Sequence, residues 1–186
     1  YGTGFSQPHI YHAMDQLGIA QYITRVGLLL GDVESLEEAK RAWVEDDAWQ
    51  GLRRYVEDTF VIKDPVELFV AQNAALDGLL YALVYETIID DVLSSQGGTP
   101  VAMLTQFMTD WFAETRKWVD ATVKIAASES AENKAVMAGW LTHWRDRAAA
   151  ALLPVGRIAL GDRADEALAE VVQQFNARMA KAGVTL

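Results

Sequence analysis

Apolar residues recur at three- to five-residue steps along almost the whole chain, the spacing of one face of an α-helix. The first such segment runs roughly from Phe5 to Leu30. Ile10, Met14, Leu17, Tyr22, Val26 and Leu29 form its stripe, and Gly31-Asp32 ends it. Ser35-Leu36-Glu37-Glu38 reads as a capping box, in which the Ser oxygen takes an orphan backbone N–H and Glu38 reaches back to the cap. A second helix is expected from there to about Phe60. Asp64-Pro65-Val66-Glu67 is the sharpest boundary: Asp caps, Pro takes the first helical position, where its missing N–H costs nothing, and Glu completes the box. The third helix runs to about Ser95, roughly 30 residues or ~45 Å at about 1.5 Å per residue, and Gly97-Gly98 stops it. Thr99-Pro100 opens a fourth helix, to about Ala127. Ser130 or a neighbour opens a fifth, to near Leu160, which Pro154 is expected to kink or break. A last helix spans roughly Arg163 to Lys181 and ends at Gly183. The β-branched clusters are short and lack period-two alternation, so no strand is expected.

Helices this long exceed the globular average of roughly 11 residues. With short connections they imply a bundle, and no linker or repeat divides the chain. The reading is one all-α domain over residues 1–186, of the long-helix type found in ferritin-like bundles. Composition narrows the function. The 186 residues carry 26 acidic and 16 basic side chains, a net charge of −10, and no cysteine. Acidity of this degree argues against nucleic acid and anionic membranes as partners. Without cysteine there is neither a disulfide framework nor a thiolate metal site. The longest uncharged run, Val92 to Thr109, contains Ser-Ser-Gln-Gly-Gly-Thr-Pro and is not a membrane span. The chain opens at Tyr1, with neither an initiator Met nor a secretory pattern, and is read as the C-terminal part of a longer polypeptide.

The obvious chemistry for a long-helix bundle is a carboxylate-bridged di-iron site, which needs a Glu from each of two helices and a Glu-x-x-His from each of two others. No Asp or Glu here is followed three positions later by His, and the chain has only His9, His12 and His143. His9 and His12 can share a helix face but have no carboxylate at a helpful spacing. His143, between Trp140 and Trp144, reads as an imidazole beside an aromatic cluster. Glu86 and Asp90 stand four apart; paired carboxylates can do acid–base work, but a solvated face near a helix end is the simpler reading. Trp111 and Trp118, and Trp140 and Trp144, can each share a face as core or interface anchors. The third helix carries Gln72, Asn73 and Asp77 inside an apolar stretch. An unpartnered buried polar group costs about 1–3 kcal/mol, so these residues either face solvent or form a satisfied buried network or subunit interface; a helix this apolar favours the network.

Residues 49–58, Trp-Gln-Gly-Leu-Arg-Arg-Tyr-Val-Glu-Asp, then 63–73, Lys-Asp-Pro-Val-Glu-Leu-Phe-Val-Ala-Gln-Asn, and 76–81, Leu-Asp-Gly-Leu-Leu-Tyr, resemble the β subunit of bacterial multicomponent di-iron monooxygenases. These include the phenol, toluene, alkene, propane and methane hydroxylases, and the phenol/toluene branch is the nearest in character. The likeness continues through Met103–Met108 and Trp118–Ala121 and covers about residues 5–183. It implies a metal-free ferritin-like bundle with no cofactor of its own, a structural partner to a di-iron α subunit that activates dioxygen. It further implies a second αβ or αβγ protomer, a small γ subunit in some members, a reductase and a regulatory protein, all cytoplasmic. Aligned on such α subunits, Gln16 and Ile19 stand where one Glu-x-x-His would have its Glu and His, and Glu114 and Lys117 stand at the other. Lys117 then either supplies positive charge to carboxylates left in the core, or forms an ordinary surface pair with Glu114. The expected function is a non-catalytic β subunit of a hydroxylase acting on phenolic or aromatic compounds. Two other readings stay open: a metal enzyme whose ligands lie upstream, and a helical interaction module unrelated to oxygenases.

Overall fold

The computed structural model describes residues 2–186, and every element among them is helical. The chain groups into two compact units, up to Glu45 and Asp46–Leu186.

The first unit is α1, Thr3–Glu45, bent at Gly31 and Asp32. Asp32 takes the left-handed conformation, with φ of 63°, which Asp tolerates better than most residues. The break falls where Gly31-Asp32 predicts it, but the cap differs. Asp32 Oδ1 accepts the Val33 N–H at 2.9 Å, while the Ser35 hydroxyl donates back to the Gly31 carbonyl. The restart therefore belongs to Asp32 and not to the box at Ser35. The apolar stripe is a second correction: Ile10, Met14, Leu17 and Leu29 are 59–79% exposed, and only His12 and Val26 are buried. A single bent helix has too little of its own surface to cover such a stripe.

The second unit begins at a break that the periodicity hides. Asp46 caps α2, Asp47–Thr59, by accepting the Ala48 N–H at 2.9 Å, so the expected helix from Ser35 to Phe60 is two helices. The Asp64-Pro65 start holds as expected, with Asp64 Oδ1 taking the Val66 and Glu67 N–H groups. Glu67 does not close the box; it accepts from Trp144 Nε1 at 3.2 Å. From here α3 is a continuous run of helical pieces, Pro65–Phe69, Val70–Leu76, Asp77–Tyr81 and Ala82–Gly98, of which the second and fourth are π-helical. The Asp77 N–H reaching the Gln72 carbonyl shows the wider turn. Gln96 and Gly97 leave helical geometry, Gly97 at φ of 95°, which ends the helix where the glycine pair predicts.

Helix α4 spans Thr99–Glu129, and α5, Ala131–Leu160, is capped by Ser130 on the Asn133 N–H. Pro154 lies inside α5 without breaking it. Its missing N–H costs one hydrogen bond in a helix held on several sides, which lets packing outweigh the local penalty. One 3₁₀ turn, Gly161–Arg163, leads to α6, Ala164–Lys181. Gly183, at φ of 92°, and the Val184 N–H on the Met179 carbonyl close α6 in a Schellman arrangement.

Helix α3 is the spine of this unit. Val70, Leu79 and Leu83 are fully buried on it, as are Val123 on α4, Leu141 and Leu152 on α5 and Met179 on α6, the helices it contacts. The window of α3–α4 apolar enough by composition to cross a membrane is 72% buried in the protein, as a core helix is. Aromatic contacts seal the seams. Tyr81 stacks on Phe112 at 5.2 Å and Phe69 meets Trp118 edge-on at 5.5 Å, so the Trp111 and Trp118 face does turn toward α3. On the other side, Tyr55 and Trp144 meet edge-on, Arg147 lies 4.8 Å over the Trp144 ring and pairs with Asp58, and the Tyr55 hydroxyl donates to the Ala71 carbonyl at 2.8 Å. That cluster ties α2, α3 and α5 together.

Leu79→Ala, at a site with no exposure, is expected to cost ~2–5 kcal/mol through lost burial and the cavity left behind. Phe60→Ala, at 82% exposure, should stay within about 0.5 kcal/mol. Urea midpoints of the two variants check the contrast; equal losses would place the core elsewhere.

Candidate functional site

Among the described residues, the interior of the second unit is largely apolar, and its buried polar side chains other than the hydroxyls of Thr59 and Thr105 lie on one stretch of α3. Asn73 and Asp77 are 3% and 4% exposed, and Gln72, half-buried beside them, donates through Nε2 to Asp77 Oδ1 at 3.4 Å. The wide turn at residues 70–76 brings Gln72 and Asp77 together five positions apart. The Asn73 amide nitrogen is buried with no hydrogen-bond acceptor among the described residues. Burial raises the Asp77 carboxyl from its ordinary 3.8 to about 8, partly opposed by the Gln72 hydrogen bond and by the Arg178 charge. At neutral pH it is therefore mostly a neutral acid.

Beside it, Arg178 of α6 reaches back toward α4, and its Nε lies 2.9 Å from Asp120 Oδ1, an ion contact without the alignment of a good hydrogen bond. Burial raises the Asp120 carboxyl and lowers the Arg178 guanidinium, and each opposite charge pulls the other back. The two residues are 58 positions apart, so no local pattern announces the pair. Gly78 makes the approach possible: a Cβ there would lie 3.1 Å from the Phe175 ring and 3.4 Å from Arg178 Nη2.

The other residues singled out by sequence lie apart. Gln16 and Ile19 are half-buried on α1, in the first unit. Glu114 and Lys117 form an exposed pair on α4, 2.6 Å apart with side chains 75% and 71% exposed, which is the surface alternative in this chain. His9 Nδ1 lies 2.6 Å from the Phe5 carbonyl in the first unit. His12 is buried there, and burial lowers its imidazole. His143 is exposed beside Trp144 at 5.1 Å.

A di-iron centre needs several carboxylates and two imidazoles converging on one point. Among the described residues no group of three or more His, Cys, Asp or Glu converges anywhere. The bundle interior offers one neutral acid and one amide, with an arginine nearby. A guanidinium close to Asp77 and paired with Asp120 is the opposite of what a divalent cation requires. The residues present do not fit the metal that this fold carries elsewhere.

Asp77 also sets a pH dependence. The folded chain keeps its proton to about pH 8, while the unfolded chain loses it near 3.8, so the folded state binds more protons in that window and stability falls as pH rises through it. Asp77→Asn removes this dependence. Its advantage over the parent should widen by more than about 1 kcal/mol between about pH 5 and about pH 8.5. Chemical denaturation at the two pH values checks this, and parallel curves would refute it.

A profile of the methane/phenol/alkene hydroxylase family matches residues 1–130. The chain is 49% identical over 181 residues to the oxygenase component DmpL of phenol 2-monooxygenase from Pseudomonas sp. strain CF600, covering 96% of this chain and 54% of that one. It is 28% identical over 120 residues to the hydroxylase component subunit beta of the toluene-4-monooxygenase system from Ectopseudomonas mendocina, covering 63% and 36%. The crystal structure of xenon-pressurized phenol hydroxylase from Pseudomonas sp. OX1 contains a chain that superposes with a TM-score of 0.90 at 39% identity, over 97% of this chain and 55% of that one. The chain thus spans about half the length of the curated phenol monooxygenase relatives it matches. An all-α, ferritin-like bundle whose interior lacks a ligand set, with these likenesses, places the chain in the methane/phenol/alkene hydroxylase family, among proteins similar to the oxygenase-component subunits of its phenol and toluene branch.

Proposed function

We propose that this chain is a non-catalytic β subunit of a di-iron monooxygenase hydroxylase acting on phenolic or related aromatic compounds. The observation that carries the reading is the bundle interior. The fold matches a phenol hydroxylase chain, yet its buried polar residues, Asn73 and Asp77, cannot make a di-iron ligand set. Iron and dioxygen chemistry then belong to a partner α subunit, with a reductase and a regulatory protein supplying electrons and control. A γ subunit and a second protomer complete the hydroxylase, in the cytoplasm.

The job left to this chain is mechanical. A metal site works only when its ligands are held closely in position, and a rigid bundle packed alongside provides that support. The exposed stripe of α1 supports this reading. Ile10, Met14, Leu17 and Leu29 present apolar area to solvent in the isolated chain, and such stripes mark helix–helix interfaces.

Size-exclusion chromatography of the subunit with and without α tests the proposal. Co-elution with α is expected. Leu17→Glu combined with Leu29→Glu should weaken co-elution by at least about tenfold, since charge in a desolvated contact is costly. A well-behaved monomer that ignores α would refute it.

A further inference from the structure

A cleft of about 460 Å³ opens between α3, α4 and α6, in the size range of small-ligand sites. Phe112, Phe175, Val171 and Ala82 give it apolar walls. Its charged lining is Arg116, Arg178 and Lys181 against Glu86 and Asp120, an excess of one positive charge in a chain of net charge −10. Both guanidinium groups lie over aromatic rings, Arg116 over Phe112 and Arg178 over Phe175, each at 5.3 Å. A guanidinium whose face is covered by a ring offers its N–H edge to whatever lies in its plane.

Arg178 is nearly buried, at 14% side-chain exposure, and Asp120 meets it only at Nε. Its two terminal nitrogens have no acceptor among the described residues. Lys181 and Arg116 likewise have no carboxylate within ion-pair distance. A planar fork with its two terminal NH2 groups unused, in a cleft walled partly by aromatic rings, matches a carboxylate. A dianion such as phosphate would face Glu86 and Asp120 in the same space. A metal cation would meet the positive excess. A neutral ligand would leave the fork unanswered.

We propose that this cleft binds a small monocarboxylate with an apolar body, its carboxylate on the terminal nitrogens of Arg178 and its body between Phe112 and Phe175. Arg116 and Lys181 add charge at the rim, and Gly78 keeps α3 from crowding the fork.

Equilibrium dialysis of radiolabelled benzoate against the full-length protein, in the complex it purifies with, tests this. The wild type should bind one more benzoate per copy of this chain than Arg178→Lys, which keeps the charge and loses the fork. Lys181→Gln, a change at an exposed rim residue that does not threaten folding, should weaken the same site two- to fivefold. Neutral benzamide should compete at least tenfold less well than benzoate, and inorganic phosphate should not displace it. Equal benzoate stoichiometry in wild type and Arg178→Lys would overturn the proposal. So would benzamide or phosphate competing as well as benzoate.

Discussion

Asp77 sits at 4% exposure on the helix that every other helix of the second unit touches, and its carboxyl has to be accommodated there without water. An ionised carboxylate in that position would need a cation or a set of donors, and a metal is the usual answer in bundles of this shape. Here the answer is protonation, driven by burial against the opposing pull of the Gln72 hydrogen bond and the Arg178 charge, the latter shared with Asp120. That choice has consequences for the whole unit. Beyond the wide turn, Tyr81 faces Phe112 and Trp111 of α4. The space next to Gly78 is then filled by Phe175 and Arg178, which close the interior from the α6 side.

The contacts around α3 divide the labour. On one flank the Tyr55, Trp144 and Arg147 cluster bonds α2 to α5 through directional contacts, with the Ala71 carbonyl drawn into it. On the other flank the packing is mostly apolar and aromatic, and the polar groups that occur are gathered at the cleft. A bundle built this way is closed where it is densely packed and open at the cleft lined by α3, α4 and α6. On the proposed reading, stiffness is what a supporting subunit supplies, and the cleft is where the proposed carboxylate enters.

Much of this was legible in the sequence where a single residue type has one physical solution. Asp64-Pro65 can only begin a helix economically, Gly97 and Gly183 supply positive φ, and the spacing of Trp111 and Trp118 turns both toward α3. The polar line Gln72, Asn73 and Asp77 was visible as an anomaly in an apolar helix. The π-turns that arrange it were not, because no residue type demands a fifth-residue hydrogen bond. Asp46 was hidden because an N-cap inside a charged, periodic stretch looks like one more helical position. Pro154 lies inside a continuous helix, because a local penalty does not by itself decide whether a helix ends. The stripe of α1 was read correctly as apolar, but periodicity says only that a face is apolar, not that the same chain covers it. Asp120 and Arg178 meet across 58 residues and could be found only in three dimensions.

The central claim is that a ferritin-like bundle of the hydroxylase family has its interior closed by packing and a protonated acid, where its catalytic relatives hold metal. Anomalous scattering at the iron edge, measured on crystals of the assembled oxygenase, addresses this directly. The account predicts iron peaks only in the partner subunit and none within the bundle of this chain. An iron peak beside Asp77 would contradict it.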